Sequence, residues 1–405
     1  MRVVENAAFV AVPYAGMSLA QMGAEVIRID RPTGGLDARR WPLAPSGESF
    51  FWAGLNKGKK SVAVDVATPE GRELALRIAT APGPDAGLFL TNLPAKGWLD
   101  HGALSAARPD MISVTLKGDR AGRPAVDYTV NPALGVPEMT GPDGSEAPVA
   151  HAVPAWDLLA GQMVTTALLA AERHRLRTGA GQAVEIALKD VAAAALGHLG
   201  LIGDAVVNRR DRAKAGNALY GAYGQDFVCA CGGRVMVIGL TGRQWTLLVE
   251  ATDSAGAMAE LAAQSGRDLR DEGARWELRH QITAILAPWF AARRIDDFAE
   301  MFDARGLTWS RFRSLREALA RDADLGPDNP MFSTLAQPGL GTFPVPGCPA
   351  HFGATERAAP VAAPRLGAHT EEVLAEVARL DGGEIARLFD AGIVSEPDRG
   401  ARTAA

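Results

Sequence analysis

The pattern that most constrains this chain lies at its start. Val3-Val4-Glu5 reads as a short strand, residues 9–22 as a helix entered through Val12-Pro13, and residues 25–30 as a second strand. Gly16 is a flexible point inside that helix, and Gly23-Ala24 stops it. A strand–helix–strand unit joins parallel strands, because an antiparallel pair needs only a hairpin. The rhythm continues. Residues 61–66 alternate as a strand, and Thr68-Pro69 opens a helix to Ala79 with Thr68 as cap and Pro69 at its first position. Residues 86–91 and 111–116 read as further buried strands. The fold class expected is α/β: a Rossmann-like open parallel sheet with helices on its faces.

An acidic residue stands out against this frame. Asp157, in Pro154-Ala155-Trp156-Asp157, precedes a run from 158 to 171 that carries no charge. The run predicts a buried helix with Met163, Leu168 and Leu169 toward a core. Two readings of Asp157 stay open. It is an N-cap, for which Asp is among the preferred residues. Or it is a working carboxylate that the positive end of the helix keeps ionised. That helix should end near Arg173-His174-Arg175, with Gly179 beyond it, and residues 183–188 form the next strand.

Other cations sit in loops. Arg39-Arg40 follows the second strand, where open α/β sheets bind ligands. Asn56-Lys57-Gly58-Lys59-Lys60-Ser61 has the look of a P-loop, but no glycine stands at the required distance and it precedes a strand. Anion binding and a solvated basic loop are both compatible with these stretches. No G-x-G-x-x-G follows the first strand, which argues against a nicotinamide cofactor. Residues 125–132 and the Gly/Pro-rich stretch 141–148 read as irregular connections.

The remainder suggests a second domain. The polar stretch 208–214 is a plausible crossing, and residues 227–230 and 234–238 form a hairpin around Cys231-Gly232-Gly233. Helices follow from about Arg243, Ala274 and Ile295, a Pro-rich stretch covers 343–364, and two amphipathic helices cover 370–380 and 383–391. With 405 residues, two or three domains are expected. The formal net charge of −5 gives no basic field for nucleic acid. Cys229, Cys231 and Cys348 make neither a disulfide set nor a zinc quartet, so no metal and a reduced, cytoplasmic setting are expected. The N-terminus lacks the apolar core of a signal peptide, and the 158–171 run is too short to span a membrane.

Several of these motifs in order resemble the class III CoA-transferases over nearly the whole chain. They are the β-α-β opening, Asn56-Lys57-Gly58-Lys59-Lys60-Ser61, Thr91-Asn92, Asp157 before its apolar helix, and Gly179-Ala180-Gly181-Gln182. Agreement extends through Gly216-Asn217, Gly232-Gly233-Arg234-Val235-Met236-Val237, Trp245 and Pro364-Arg365-Leu366-Gly367-Ala368-His369-Thr370.

The resemblance implies a covalent route. Asp157 attacks the acyl carbon of a CoA thioester, the thiolate then attacks the aspartyl carbonyl, and an aspartyl-CoA thioester and a free acid result. It implies Arg39 or Arg40 and Lys60 for CoA phosphates, Asn92 and Lys96 near the nucleotide and pantetheine, and Asn131 near the reacting end. The substrate implied is the CoA thioester of a small dicarboxylic acid, with no cofactor or metal. Residues 1–205 and 331–405 would form the large CoA-binding domain and 206–330 a smaller α+β domain, in an interlocked homodimer. Backbone around Gly239-Leu240-Thr241-Gly242 is a candidate for oxyanion donors, or only a strand-end turn.

Racemase members of the family resemble one another in a histidine before the aspartate that matches Asp127. Here that position is Val126, which cannot move a proton. Family members usually carry residues ahead of the first strand, so a clipped first strand or an upstream start is implied, with the sheet edge affected. Transfer within one molecule, transfer between two, and a non-catalytic CoA-binding homologue with Asp157 as a mere cap remain the three functional readings.

Overall fold

A computed structural model describes residues 1–397. The first half carries β1 (Arg2–Asn6), α1 (Ala11–Gln21), β2 (Glu25–Asp30), α2 (Phe50–Leu55), β3 (Lys60–Val64) and α3 (Pro69–Ala79). It continues through β4 (Leu88–Thr91), α4 (His101–Ala107), β5 (Ile112–Lys117), α5 (Asp127–Ala133), α6 (Ala155–Thr178) and β6 (Gln182–Ala187). Then come α7 (Leu188–His198), α8 (Leu201–Asn208), β7 (Tyr223–Val228), β8 (Arg234–Gly239), α9 (Gly242–Ala251) and α10 (Ala255–Ser265). After α11 (Glu272–Glu277), α12 (Arg279–Ala291), α13 (Ala299–Arg305), β9 (Thr308–Arg311) and α14 (Leu315–Arg321) the chain forms β10 (Phe332–Gln337) and β11 (Gly341–Pro346). It closes with α15 (Thr370–Glu376), α16 (Gly382–Asp390) and β12 (Val394–Ser395).

Backbone contacts divide the chain into two units. The first holds Met1–Leu134, His151–Asn208 and the segment from Asp322 onward; the second holds Gly135–Ala150 and Arg209–Arg321. Residues 135–150, read from the sequence with the large domain, thus pack with the second unit, where Gly216 N donates to Gly141 O at 3.0 Å.

The first unit is built on a seven-stranded sheet in the order β12-β3-β2-β1-β4-β5-β6, parallel except for β12. That is the doubly wound order, with its switch point between β1 and β4. β1 is therefore a central strand, paired on both sides, and not a sheet edge as the N-terminal departure suggested. Alternation along the strands feeds two cores. Val3, Leu88, Leu90, Ile112 and Val114 face α1, α6 and α7. Val4, Ile27, Ile29, Val62 and Phe89 face α3, α15 and α16. Both faces of a parallel sheet must be covered, and here they are.

α6 is one-sided. Ala160, Gly161, Val164, Leu168 and Ala171 are buried against the core at helical spacing. Leu159, Met163 and Leu169 are exposed, so Met163 and Leu169 are not the core residues the sequence suggested. Gly161 allows the close approach to α1: a Cβ there would lie 2.6 Å from the Ala11 carbonyl oxygen.

The second unit has a three-stranded antiparallel sheet, β7-β8-β9, with a core of Phe227, Phe290, Phe298 and Phe302. β9 and α10 were not visible in the sequence pattern. Nor was the β10–β11 hairpin, whose Pro344 and Pro346 hid a strand that pairs on a small two-stranded sheet. The Ala-rich stretch after β6 is divided into α7 and α8 at Gly200, which has φ of +79°.

Candidate active site

Asp157 lies at the carboxyl side of the sheet, and it is not the cap of its helix. Pro154 occupies the N-cap position and has no side-chain cap bond, so Asp157 is the third helical residue of α6. The capping is done from elsewhere. Asp127, the first residue of α5, accepts hydrogen bonds on Oδ2 from the backbone N–H of Trp156 at 2.8 Å and of Asp157 at 3.2 Å. A carboxylate there meets both the free N–H groups and the positive end of the helix. This also explains why Asp127–Ala133 forms α5 within a stretch the sequence reads as irregular. Thr129 and Val130 are β-branched and Pro132 lacks a donor, so local propensity is poor. Burial of Val130 and Asn131, and the bonds of Asp127 to α6, override it.

Asp127 is 1% exposed and its Oδ1 takes Nε2 of His151 in a short contact. His151 lies between Tyr128, edge-on at 5.7 Å, and Trp156 at 6.1 Å. Asn131, fully buried, accepts on Oδ1 from Trp156 Nε1 at 3.0 Å, while its Nδ2 has no partner. Two carboxylates, an imidazole and an amide thus converge on the start of α6. His151 escaped the sequence reading because it lies in a stretch without periodicity; a histidine six positions ahead of a candidate nucleophile is too weak a signal.

The carboxylate of Asp157 accepts no hydrogen bond among the described residues, and the residue is half-buried. Burial pushes its pKa up to about 6, and the nearby Asp127 charge adds to this; Arg40 and then His151 act in the opposite direction. Desolvation and a like charge thus outweigh the helix end in setting this value. At neutral pH most of Asp157 is nonetheless ionised. An ionised carboxylate without a hydrogen bond is chemically able to act as a nucleophile.

Arg40 approaches from the loop after β2. Its guanidinium lies over the rings of Phe9 at 5.7 Å and Phe51 at 5.2 Å. Phe9 has φ of +66°, a left-handed conformation that a residue with a Cβ adopts at a cost. The turn that holds it is stapled across the switch point. Asn92, at the end of β4, accepts from Ala8 N at 2.9 Å and donates to Ala8 O at 2.7 Å. Asn92 thus shapes the turn with both ends of its amide. Lys96 is exposed in the loop beyond it. Arg39 lines a cavity of about 720 Å³ together with Thr33, Ser49, Trp52, Gln337 and Arg365.

Lys60 is not brought to this place. It begins β3, at the amino-terminal edge of the sheet, and pairs with Glu25 at 2.8 Å and Glu372 at 2.7 Å. Its neighbours are not a solvated basic loop either. Lys57 is 5% exposed and donates to the Gly54 carbonyl; Lys59 is 3% exposed and bonds Glu5, Asn56 and the Pro13 carbonyl. Gly239-Leu240-Thr241-Gly242 belongs to the second unit, where Thr241 caps α9 and gives its own N–H to Gln244 at 2.9 Å. The cysteines diverge, Cys229 buried and Cys231 exposed, and no cluster suited to a metal ion occurs among the described residues.

The chain is similar to several known proteins. A 2-methylfumaryl-CoA isomerase of Chloroflexus aurantiacus is 51% identical over 99% of this chain and 98% of its own length. The human succinyl-CoA:glutarate CoA-transferase is 26% identical over 98% of this chain and 89% of its own. A CAIB/BAIF family protein from Brucella suis shares the fold, with a TM-score of 0.75 at 24% identity over 93% of this chain and 98% of that one. The model of CoA-transferase family III matches residues 1–370, and the chain belongs to that family.

Proposed function

We propose that the protein is an intramolecular CoA transferase that converts 2-methylfumaryl-CoA into 3-methylfumaryl-CoA. The reading is carried by 51% identity to a 2-methylfumaryl-CoA isomerase along almost the whole of both chains. The unbonded carboxylate of Asp157 supplies the chemistry. It attacks the thioester carbonyl of C1 and expels CoA thiolate, forming a mixed anhydride. The thiolate attacks the aspartyl carbonyl, giving aspartyl-CoA and free mesaconate. The other carboxylate of mesaconate attacks aspartyl-CoA, the thiolate leaves and returns to the C4 carbonyl, and Asp157 is regenerated. Charge is conserved at each step, so the residues need only orient the two acids and shield the anhydride from water.

The CoA contacts follow from placement. Arg39, on the cavity wall with Thr33 and Ser49, suits the phosphates of the nucleotide end. Arg40, whose charge acts on Asp157, suits the thioester end. Asn131 Nδ2, buried and unpartnered, suits an oxygen of the reacting acyl group. Lys96 is left for the pantetheine region by its position after β4. Leu159, Met163 and Leu169 on the outer face of α6, with Leu199, Val206 and Val207 on and before α8, give an apolar surface that a second copy of the chain would cover. The working form is therefore a homodimer, in the cytoplasm, with Asp157 chemistry that calls on no cofactor.

The test uses purified protein and 2-methylfumaryl-CoA with no added acid. The 3-methyl isomer should appear, and hydroxylamine should convert Asp157 to its hydroxamate, seen by mass. Strict dependence on an added acceptor acid would mean transfer between molecules, and absence of the hydroxamate would leave a protein that only binds CoA.

A further inference from the structure

The pair formed by Asp127 and His151 has no part in the transfer just described, yet it is built with care. Asp127 uses one oxygen to hold the start of α6 and the other to hold the imidazole. A carboxylate only accepts, so Nε2 of His151 carries the hydrogen of that bond. Its other nitrogen, Nδ1, has no hydrogen-bond partner among the described residues. The ring is fixed in place by Tyr128 and Trp156, and the Tyr128 hydroxyl donates to the carbonyl of Ala152, the next residue along, at 3.3 Å. Asn131, one turn along α5 from Asp127, is fixed in the same manner: its Oδ1 is held by Trp156 and its Nδ2 is buried with no partner. Two polar groups, each locked at one end and unspent at the other, stand at the helix end that carries Asp157.

An internal transfer creates a need for such groups. Between the two half-transfers the diacid is bonded to nothing. Both of its ends are charged, and one must be held while the other attacks.

We propose that His151, oriented by Asp127, binds the carboxylate of the substrate that is not joined to CoA, and so retains the diacid between the half-transfers. This rests on the reading of Asp157 as nucleophile toward a dicarboxyl-CoA. In the proposed complex the imidazole donates its Nε2–H to Asp127 and its Nδ1–H to the substrate carboxylate. When the C4 carboxylate attacks aspartyl-CoA, its C–O bond forms and the C–S bond breaks. The thiolate then takes C4, and Asp157 leaves as carboxylate. No proton is consumed, and His151 exchanges the C4 carboxylate for that of C1. A neutral second end offers it nothing, so His151 is also what selects dicarboxylic substrates.

The test follows three signals at once in wild type and His151→Gln: isomer formed, aspartyl hydroxamate formed, and entry of isotope-labelled free mesaconate into the CoA ester. Loss of a charged hydrogen bond predicts that label entry relative to isomerisation rises by about 10–100-fold in His151→Gln, with hydroxamate still formed. Equal slowing of isomerisation and hydroxamate formation, with no rise in label entry relative to isomerisation, would assign His151 a structural role and overturn the proposal. Should His151→Gln fold poorly, the wild type decides the matter with crotonyl-CoA, which lacks the second carboxylate. Hydroxamate formation about 10-fold or more slower than with 2-methylfumaryl-CoA supports the assignment, and equal rates refute it. A wild type that forms no hydroxamate with either thioester removes the reading of Asp157, and the proposal falls with it; a wild type that forms hydroxamate but shows no discrimination removes His151 alone.

Discussion

Two clusters of charge in the first unit are built in opposite ways. Under the carboxyl end of β2, Arg28 bonds Glu5 at 3.0 Å, Asp30 at 2.8 Å and Asp37 at 2.9 Å, and Lys59 bonds Glu5 at 2.9 Å. Each of these five side chains is at most 3% exposed. Burial pushes Lys59 down to about 8 and the Arg28 charge adds to this, while Glu5 and, more weakly, Asp30 work against it. At the start of α6, by contrast, Asp157 has no bonded counter-ion. Asp127 is committed to backbone N–H groups and His151, and Arg40 acts on Asp157 without a hydrogen bond. The first cluster is closed and holds shape; through Asp37 it anchors the loop that carries Arg39 and Arg40. The second is open, with the Asp157 carboxylate left without a hydrogen bond. In the first cluster every buried charge is paired with an opposite charge; in the second the Asp157 carboxylate has no bonded counter-ion.

The comparison can be broken at either cluster. Asp157→Ala should abolish isomerisation, a loss of at least about 10³-fold, with the melting temperature kept; retained turnover would remove Asp157 from the open cluster. Glu5→Ala leaves Arg28 and Lys59 facing each other without their shared anion. It should destabilise the fold by about 3–5 kcal/mol in denaturant melts, and a small change would show that water compensates. Asp127→Ala removes the bonds at the head of α6, with about 1–2 kcal/mol lost and isomerisation slowed. A melting curve unchanged by it would mean another group caps the helix.

Two smaller effects report on the raised pKa of Asp157. The ionised form is the nucleophile, so the rate should be level above about pH 6 and fall tenfold per unit below it. A fall beginning only near pH 4 would show an unperturbed acid. Because the folded-state value lies above the ordinary carboxylate value, ionisation of Asp157 opposes folding at neutral pH, and that cost disappears as pH drops below about 4. Asp157→Asn should then raise stability at pH 7 by on the order of 1 kcal/mol, a figure reduced for partial exposure, and do nothing at pH 3. Equal effects at both pH values would point to packing instead.

The sequence made the sheet legible because period-2 alternation and caps such as Thr68-Pro69 are local signals, and α3 starts and ends where they predict. It made Asp157 legible only as an acid before an apolar run. What surrounds that acid was not legible. Asp127 and His151 reach it from 30 and 6 positions away along irregular sequence, and Lys59 and Lys60, adjacent in sequence, part into a buried network and a surface ion pair where the chain enters β3. Met163 and Leu169 are as apolar as Leu168, yet only Leu168 is buried, since which stripe of α6 meets α1 is set by the Gly161 contact and not by composition.

The chain by itself determined the α/β order, the doubly wound sheet and the family, through patterns that each residue shares with near neighbours. Tertiary structure alone decided that Asp157 is capped by another helix, raised in pKa and left without a bond. Those properties belong to distances between residues far apart in sequence, and burial and like charge act only once the fold has brought them together.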